Sequence, residues 1–178
     1  DLPQLQGFER LHRELASLLA VRVRSLLAGE PTVQAAQAFT DQTTYGEFVL
    51  SLSAGTQAYR YAVEGIGGDV VLALGPRLVE VLLAPGEAEP EARVQHLGEG
   101  LARDLEAVWN PVTPLSVTQV EPHSDPWAIE VSPMFEVCAL TAIEVTADRP
   151  EGELSGLVEA CYPVSAIYGV LDRLPAAP

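Results

Sequence analysis

The stretch 58–76, AYRYAVEGIGGDVVLALGP, decides the fold class of this chain. Its first part alternates tyrosine and valine with smaller or charged residues, and its second part is the apolar run Val70–Leu74. Alternation with a period of two is typical of a strand with one buried face. The Gly-rich segment 65–69 between the two parts is typical of a turn, so the stretch predicts an antiparallel hairpin. Gly75-Pro76 then predicts the start of a short helix.

Two long amphipathic helices are predicted around this hairpin. Apolar side chains recur at three- and four-residue spacing over 8–28 and over 91–109, which is the spacing of a helix with one buried face. A strand signal follows the first helix, and residues 39–45 are predicted to be a polar connection. The remaining predictions are extended segments at 115–120, 128–131, 135–145 and 154–161, and a last helix that begins at Pro163 and includes Leu174.

The order of these elements indicates an internal duplication. Each half, about 8–84 and about 91–174, contains a long helix, extended segments, a strand that starts at a glycine, a proline and a short helix. We expect one domain over 1–178 with a pseudo-two-fold internal repeat. Its strands are expected to join one mostly antiparallel α/β sheet that helices cover.

The composition excludes several classes of partner. The chain has 178 residues, 25 of them acidic and 10 basic, all ten of the basic ones arginine, which gives a formal charge of −15. Such a surface repels phosphate backbones and anionic lipids, so we expect neither nucleic acid nor membrane insertion. Basic protein faces and metal cations match it better, although acidity also simply keeps a protein in solution. No apolar run approaches the ~20 residues of a membrane span, no signal peptide is present, and we expect a cytoplasmic protein.

The search for catalytic chemistry finds little. His12 and His96 are predicted on exposed helix faces, and His123 precedes Ser124 and Asp125 in a polar segment. Three adjacent residues do not form a triad, which requires convergence in space, so a polar turn is the better interpretation.

Metal and redox signals are equally weak. Cys138 and Cys161 lie in apolar stretches and are predicted to be buried free thiols. The acidic run 85–91 lacks the ligand spacing of a calcium loop, and no zinc motif is present. We expect no cofactor and no metal.

Five motifs, in order and at matching spacing, resemble the middle domain of the FliM family of flagellar motor switch proteins. They are Phe8-Glu9-Arg10-Leu11, Tyr45-Gly46-Glu47-Phe48-Val49-Leu50-Ser51-Leu52, Gly75-Pro76-Arg77-Leu78, Leu105-Glu106-Ala107-Val108-Trp109 with Val112, Pro114 and Leu115, and Asp125-Pro126-Trp127-Ala128 with Val131-Ser132-Pro133. The resemblance extends from Phe8 to about Leu174.

The resemblance implies a three-layer α/β/α sandwich shared with the chemotaxis phosphatases CheC and CheX. It also implies a non-enzymatic scaffold in the C-ring of the motor switch, at the cytoplasmic face of the flagellar basal body. There the domain would contact FliG and neighbouring FliM copies and transmit the chemotaxis signals that set rotation direction. Phosphorylated CheY and FliN would bind through family segments outside this chain.

The chain departs from the family at two places. The family's Gly-Gly-x-Gly loop, implicated in FliG contacts, corresponds here to Ala84, Pro85, Gly86 and Glu87. These four residues are therefore the candidate partner-binding site, altered because proline fixes φ where glycine is free.

The second departure concerns the phosphatase relatives, which use a Glu and an Asn on one helix face to orient water. Glu14 and Ser17 lack the Asn, and Glu106 and Asn110 are one residue out of register. Without the amide, hydrolysis should fail. Two alternatives stay open: a CheC-like phosphatase of phosphorylated CheY, and an equivalent ring scaffold of a type III secretion system.

Overall fold

A computed structural model describes residues 2–84, 86, 88–129 and 132–174, with side chains from Gln6 onward. The helices are α1 (Leu2–Leu26), α2 (Tyr45–Ser51), α3 (Pro76–Leu82), α4 (Pro90–Trp109) and α5 (Val164–Ile167). The strands are β1 (Val33–Thr44), β2 (Gln57–Glu64), β3 (Val70–Leu74), β4 (Ser116–His123), β5 (Val137–Arg149) and β6 (Gly152–Pro163). Short 3₁₀ helices lie at Pro126–Ala128 and Tyr168–Arg173.

The six strands form one sheet in the order β1-β5-β6-β3-β2-β4, and every neighbouring pair is antiparallel. The predicted hairpin is confirmed, because β2 pairs with β3 from Gln57↔Leu74 to Tyr61↔Val70. Gly65 begins the turn at a φ of +109°, and a Cβ there would lie 1.9 Å from the carbonyl oxygen of Pro114. Only glycine fits this position.

Exchanging β1, β2 and β3 with β4, β5 and β6, respectively, gives the same strand order read from the opposite edge of the sheet. That arrangement is what a pseudo-two-fold axis between β6 and β3 produces. The single domain over 1–178 and its repeat halves, 8–84 and 91–174, remain a proposal that the topology supports.

Helices cover both faces of the sheet, as the predicted α/β/α architecture requires. On one face α1 and α4 bury the large core, to which β3 contributes Val70, Leu72 and Leu74. On the other face α2 packs over a smaller core that includes Val71 and Ala73. Both faces of β3 are therefore buried, which explains its uninterrupted apolar sequence.

Two tyrosines of β2 fasten α4 to the sheet. The hydroxyl of Tyr59 donates to the carbonyl oxygen of Val94 at 2.7 Å, and that of Tyr61 donates to the carbonyl oxygen of Gly98 at 2.8 Å. A Cβ at Gly98 would lie 2.4 Å from Cε1 of Tyr59. Glycine at this position lets the helix backbone approach the ring closely.

The prediction of a polar connection at 39–45 is wrong for most of that segment, because β1 continues to Thr44. The strand lies at the sheet edge beside β5 and has a bulge between Gln37 and Phe39. The side-chain nitrogen Nε2 of Gln37 donates to the hydroxyls of Thr40 and Thr141 at 2.7 and 2.9 Å, respectively. These bonds satisfy the side chain of Thr40, which the sequence pattern assigned to a polar connection, together with those of Gln37 and Thr141.

Two further predictions differ in detail. Ala128 ends a 3₁₀ helix, although Ile129 is extended as predicted; Glu130 and Val131 lie outside the described residues. The last helix keeps α geometry over Val164–Ile167 and tightens to 3₁₀ turns over Tyr168–Arg173.

The prediction that His12 lies on an exposed helix face is wrong, because its side chain is completely buried. His12 lies four residues after Phe8 and three before Leu15, on the stripe that α1 turns towards the sheet. Its ring nitrogens both find partners there, which makes burial of a polar residue possible. His96 is exposed, as predicted.

Candidate partner-binding site

The candidate loop, Ala84 to Glu87, connects α3 to α4. The helix α3 ends at Leu82, and the N–H of the C-cap residue Leu83 donates to the carbonyl oxygen of Val79 at 2.9 Å. Ala84 and Gly86 are exposed, whereas Pro85 and Glu87 lie outside the described residues. The structure thus presents part of this loop to solvent between two helices.

Gly86 has space for a side chain. A Cβ at this position would approach nothing closer than Nη1 of Arg93, at 3.5 Å, which is ordinary van der Waals contact. Position 86 therefore does not require glycine for packing, and a substitution there tests the loop's surface rather than its folding.

Arg93, in the first turn of α4, is the basic side chain beside Gly86. Its Nε is buried and has no hydrogen-bond acceptor among the described residues. The sequence analysis missed this residue. A signal existed, since a positive charge in the first turn opposes the helix dipole and is unfavourable unless something compensates it.

His123, the last residue of β4, does not form a triad with Ser124 and Asp125. Nε2 of His123 contacts Oε1 of Glu121 at 2.6 Å, and Oδ1 of Asp125 accepts from the backbone N–H of Trp127 at 3.1 Å. The two side chains thus have different partners, and the prediction of a polar turn is wrong for Glu121 to His123, because β4 continues to His123.

The carboxylate and amide that resemble a phosphatase pair shape the connection between α4 and β4. Oε2 of Glu106 accepts from the N–H of Val117 at 2.8 Å, and Oδ1 of Asn110 accepts from the N–H of Leu115 at 2.9 Å. On α1, Glu14 is exposed and the hydroxyl of Ser17 donates to the carbonyl oxygen of Arg13 at 3.3 Å. Groups that hold backbone in this way are not placed to orient an attacking water.

The two cysteines are buried free thiols, as predicted, and belong to the smaller core. Contact with Cys138 and burial raise the pKa of the Cys161 thiol well above its usual range. A protonated thiol is a poor nucleophile and a poor metal ligand, so Cys161 serves as a small apolar side chain.

In the part of the chain that the structure describes, no three His, Cys, Asp or Glu side chains lie together in a way that holds a metal ion. None of the helices in that part is long and apolar enough to cross a membrane.

The architecture is that of the FliM middle domain, the fold that the sequence resembles. Among solved structures, the FliM middle domain from H. pylori superposes with a TM-score of 0.78 and 24% identity, covering 96% of this chain and 97% of that chain. The FliM middle domain from Vibrio alginolyticus gives 0.78 and 16%, covering 94% and 99%. A FliG–FliM complex from H. pylori gives 0.77 and 23%, covering 95% and 97%.

These similarities establish the fold, and they confirm the FliM middle-domain resemblance at the level of structure. No protein-family model matches the chain. The search of curated proteins finds no match either.

Proposed function

We propose that the chain is a non-enzymatic scaffold subunit of a flagellar motor switch, at the cytoplasmic face of the basal body. In this role it contacts FliG and neighbouring copies and transmits the chemotaxis signals that set rotation direction. The observation that carries the proposal is the likeness to FliM middle domains over nearly the whole chain, including a FliM chain solved together with FliG.

The loop Ala84–Glu87 is the proposed FliG contact. Ala84 and Gly86 are exposed, and the buried Nε of Arg93 beside them has no acceptor among the described residues. Arg93 is partly exposed, and its guanidinium carries N–H donors besides the buried Nε, so it suits a partner that offers a carboxylate or a backbone carbonyl. We therefore include Arg93 in the proposed contact.

The positions of the side chains that resemble phosphatase residues favour a scaffold over a phosphatase. Glu106 and Asn110 hold the α4–β4 connection, and the exposed Glu14 has no amide placed with it on α1. A protein of this kind works through the shape and chemistry of its surfaces.

Calorimetric titration of the purified chain with FliG from the same organism tests the proposal. We expect binding, and we expect Gly86→Trp to weaken it at least about tenfold, because the indole occupies the contact surface. Gly169→Trp is the matched control, since Gly169 is exposed and no atom of the described residues lies within 4 Å of a Cβ there. Circular dichroism of both variants should equal that of the parent.

Equal affinities for the parent and both variants would remove the loop from the contact. No binding at all by the folded parent would remove FliG as partner. Release of phosphate from phosphorylated CheY that disappears in Glu14→Gln would replace the scaffold with the phosphatase alternative.

A further inference from the structure

Described residues of the segment 126–136, which begins with the Pro126–Ala128 helix, contact the first turn of α2. The hydroxyl of Tyr45 donates to the carbonyl oxygen of Ile129 at 2.8 Å, and the N–H of Tyr45 donates to the carbonyl oxygen of Glu136 at the same distance. The N–H of Gly46 donates to the carbonyl oxygen of Met134 at 3.0 Å. Tyr45 thus fixes this segment against the first turn of α2.

Met134 lies directly on α2. A Cβ at Gly46 would lie 3.3 Å from both Cβ and Sδ of Met134. Leu50 follows Gly46 by four residues and lies on the same side of the helix. The two elements therefore present Leu50, Met134 and its neighbour Phe135 close together.

Four large apolar side chains on these two elements are exposed, and we refer to them as the aromatic surface. They are Leu50, Trp127, Met134 and Phe135. Phe135 is 89% exposed and Leu50 is 67% exposed. Scattered apolar residues are normal on a protein surface, but a group that includes Trp, Phe and Met has the composition of a protein-binding site.

The charge around the aromatic surface has one sign. The sequence contains no Arg or Lys between Arg24 and Arg60 or between Arg103 and Arg149, and both elements lie within these intervals. Their acidic residues include the exposed Glu47 and Asp125 and the half-buried Glu136.

Two arginines from other elements lie on this side of the sheet. Arg60 is neutralised by Asp69, with Nη2 and Oδ2 2.8 Å apart. Arg77 lines a pocket together with Ser51 and Leu52, beyond the C-terminal end of α2. Neither changes the sign of the charge on the two elements that carry the aromatic surface.

We propose that the aromatic surface binds a basic amphipathic segment of another protein, one that presents apolar side chains beside lysine or arginine. Apolar contact with Leu50, Trp127, Met134 and Phe135 supplies most of the affinity, and the surrounding carboxylates select a cationic partner. A second copy that docks through the same surface is the poorer occupant, because it brings the same carboxylates and no arginine or lysine on these two elements. This surface and the loop Ala84–Glu87 belong to different elements, so the proposal does not depend on the FliG contact.

Tryptophan fluorescence measures the binding directly. Trp109 is completely buried and Trp127 is about half exposed, so a blue shift on binding reports Trp127. The probe is a synthetic helical peptide with leucine on one face and lysine on the other. We expect saturable binding of this peptide and no binding of its counterpart with glutamate in place of lysine.

Phe135→Ser should weaken binding of the lysine peptide at least about tenfold. Val21→Ser is the matched control, because Val21 is 69% exposed on α1 and the substitution likewise leaves the charge unchanged. Non-specific attraction between a basic peptide and an acidic protein would be equal in both variants. Calorimetry with Trp127→Phe checks that the optical signal and the affinity agree.

Absence of binding, or equal affinity of the parent and both variants, would overturn the proposal. Concentration-dependent self-association in sedimentation that Phe135→Ser abolishes would overturn it too, because the occupant would then be a second copy.

Discussion

Tyr162 of β6 donates its hydroxyl proton to Nε2 of His12 on α1 across a fully buried contact of 2.7 Å. Nδ1 of His12 contacts the carbonyl oxygen of Phe8 at 2.8 Å and must carry the proton, because a carbonyl only accepts. Nε1 of Trp109 donates to the hydroxyl oxygen of Tyr162 at 3.1 Å. One continuous chain of hydrogen bonds thus joins α1, β6 and α4 inside the main core, and every member is satisfied.

Acid should weaken the fold through His12. Burial lowers the pKa of His12 from 6.5 to about 4, because the charged ring loses its hydration. His12 binds a proton below about pH 6.5 in the unfolded chain, but only below about pH 4 in the folded chain. The stabilisation that the neutral His12 provides is therefore fully present above pH 6.5 and is lost as the pH falls towards 4. The full loss is about 3 kcal/mol in the free energy of unfolding. Urea denaturation across this pH range measures it.

His12→Gln should remove this pH dependence while lowering stability at neutral pH. His96→Gln, at an exposed position, is the matched control and should keep the parent's dependence on pH. Parallel pH profiles for the parent and His12→Gln would show that His12 is not the group responsible.

Gly98→Ala should destabilise the protein. Alanine in place of glycine inside a helix ordinarily stabilises by about 1 kcal/mol, but the new Cβ would lie 2.4 Å from Cε1 of Tyr59. Overpacking of this kind costs about 1–3 kcal/mol, and the tyrosine rings that bond α4 would have to move. Thermal and urea denaturation measure the change. Gly169→Ala, at an open position, should differ from the parent by less than about 0.5 kcal/mol. A stabilised Gly98→Ala variant would contradict the close contact between α4 and β2.

Asn110→Ala should lower stability without affecting any phosphatase reaction. Loss of the bond from Oδ1 to the N–H of Leu115 is expected to cost about 1 kcal/mol. Phosphate release from phosphorylated CheY should proceed at the spontaneous rate with the parent, with this variant and with Glu14→Gln. Urea denaturation and a phosphate-release assay measure the two properties. Accelerated release that Asn110→Ala abolishes would assign Asn110 a catalytic role.

Arg93→Ala should weaken FliG binding at least about tenfold, because it removes the partly exposed guanidinium that lies beside Gly86. Arg93→Lys should recover little, since a lysine ammonium does not reproduce the planar arginine fork. Arg13→Ala, at an exposed position on α1, is the control with the same change of charge. Calorimetry against FliG measures all three. If Arg93→Ala and Arg13→Ala bind equally well, Arg93 lies outside the contact.

Local sequence patterns predicted most of the secondary structure. The long helices and the hairpin followed from periodicity and turn residues, because these signals lie within about 20 residues of one another. The second half of β1 escaped prediction because its partner β5 is about a hundred residues away, and the bond from Gln37 to Thr141 joins those distant segments.

The wrong prediction for His12 has the same cause, a partner that is distant in the sequence. Its place on the apolar stripe between Phe8 and Leu15 was visible in the sequence, but a histidine there is acceptable only with a partner such as Tyr162, 150 residues away. The candidate loop was found through resemblance alone, whereas Arg93 and the aromatic surface required side-chain positions. Exposure of Phe135 is a property of the folded chain that no local pattern encodes.

Chemical crosslinking from position 84 tests the scaffold proposal most directly. Cys138 and Cys161 are buried, so Ala84→Cys supplies an accessible thiol at the candidate loop. With a short bifunctional thiol–amine reagent, we predict a one-to-one crosslink to FliG from Ala84→Cys and none from Val21→Cys, an exposed position on α1. Failure of Ala84→Cys to crosslink under conditions in which FliG is bound, or equal crosslinking from both positions, would contradict a contact centred on this loop.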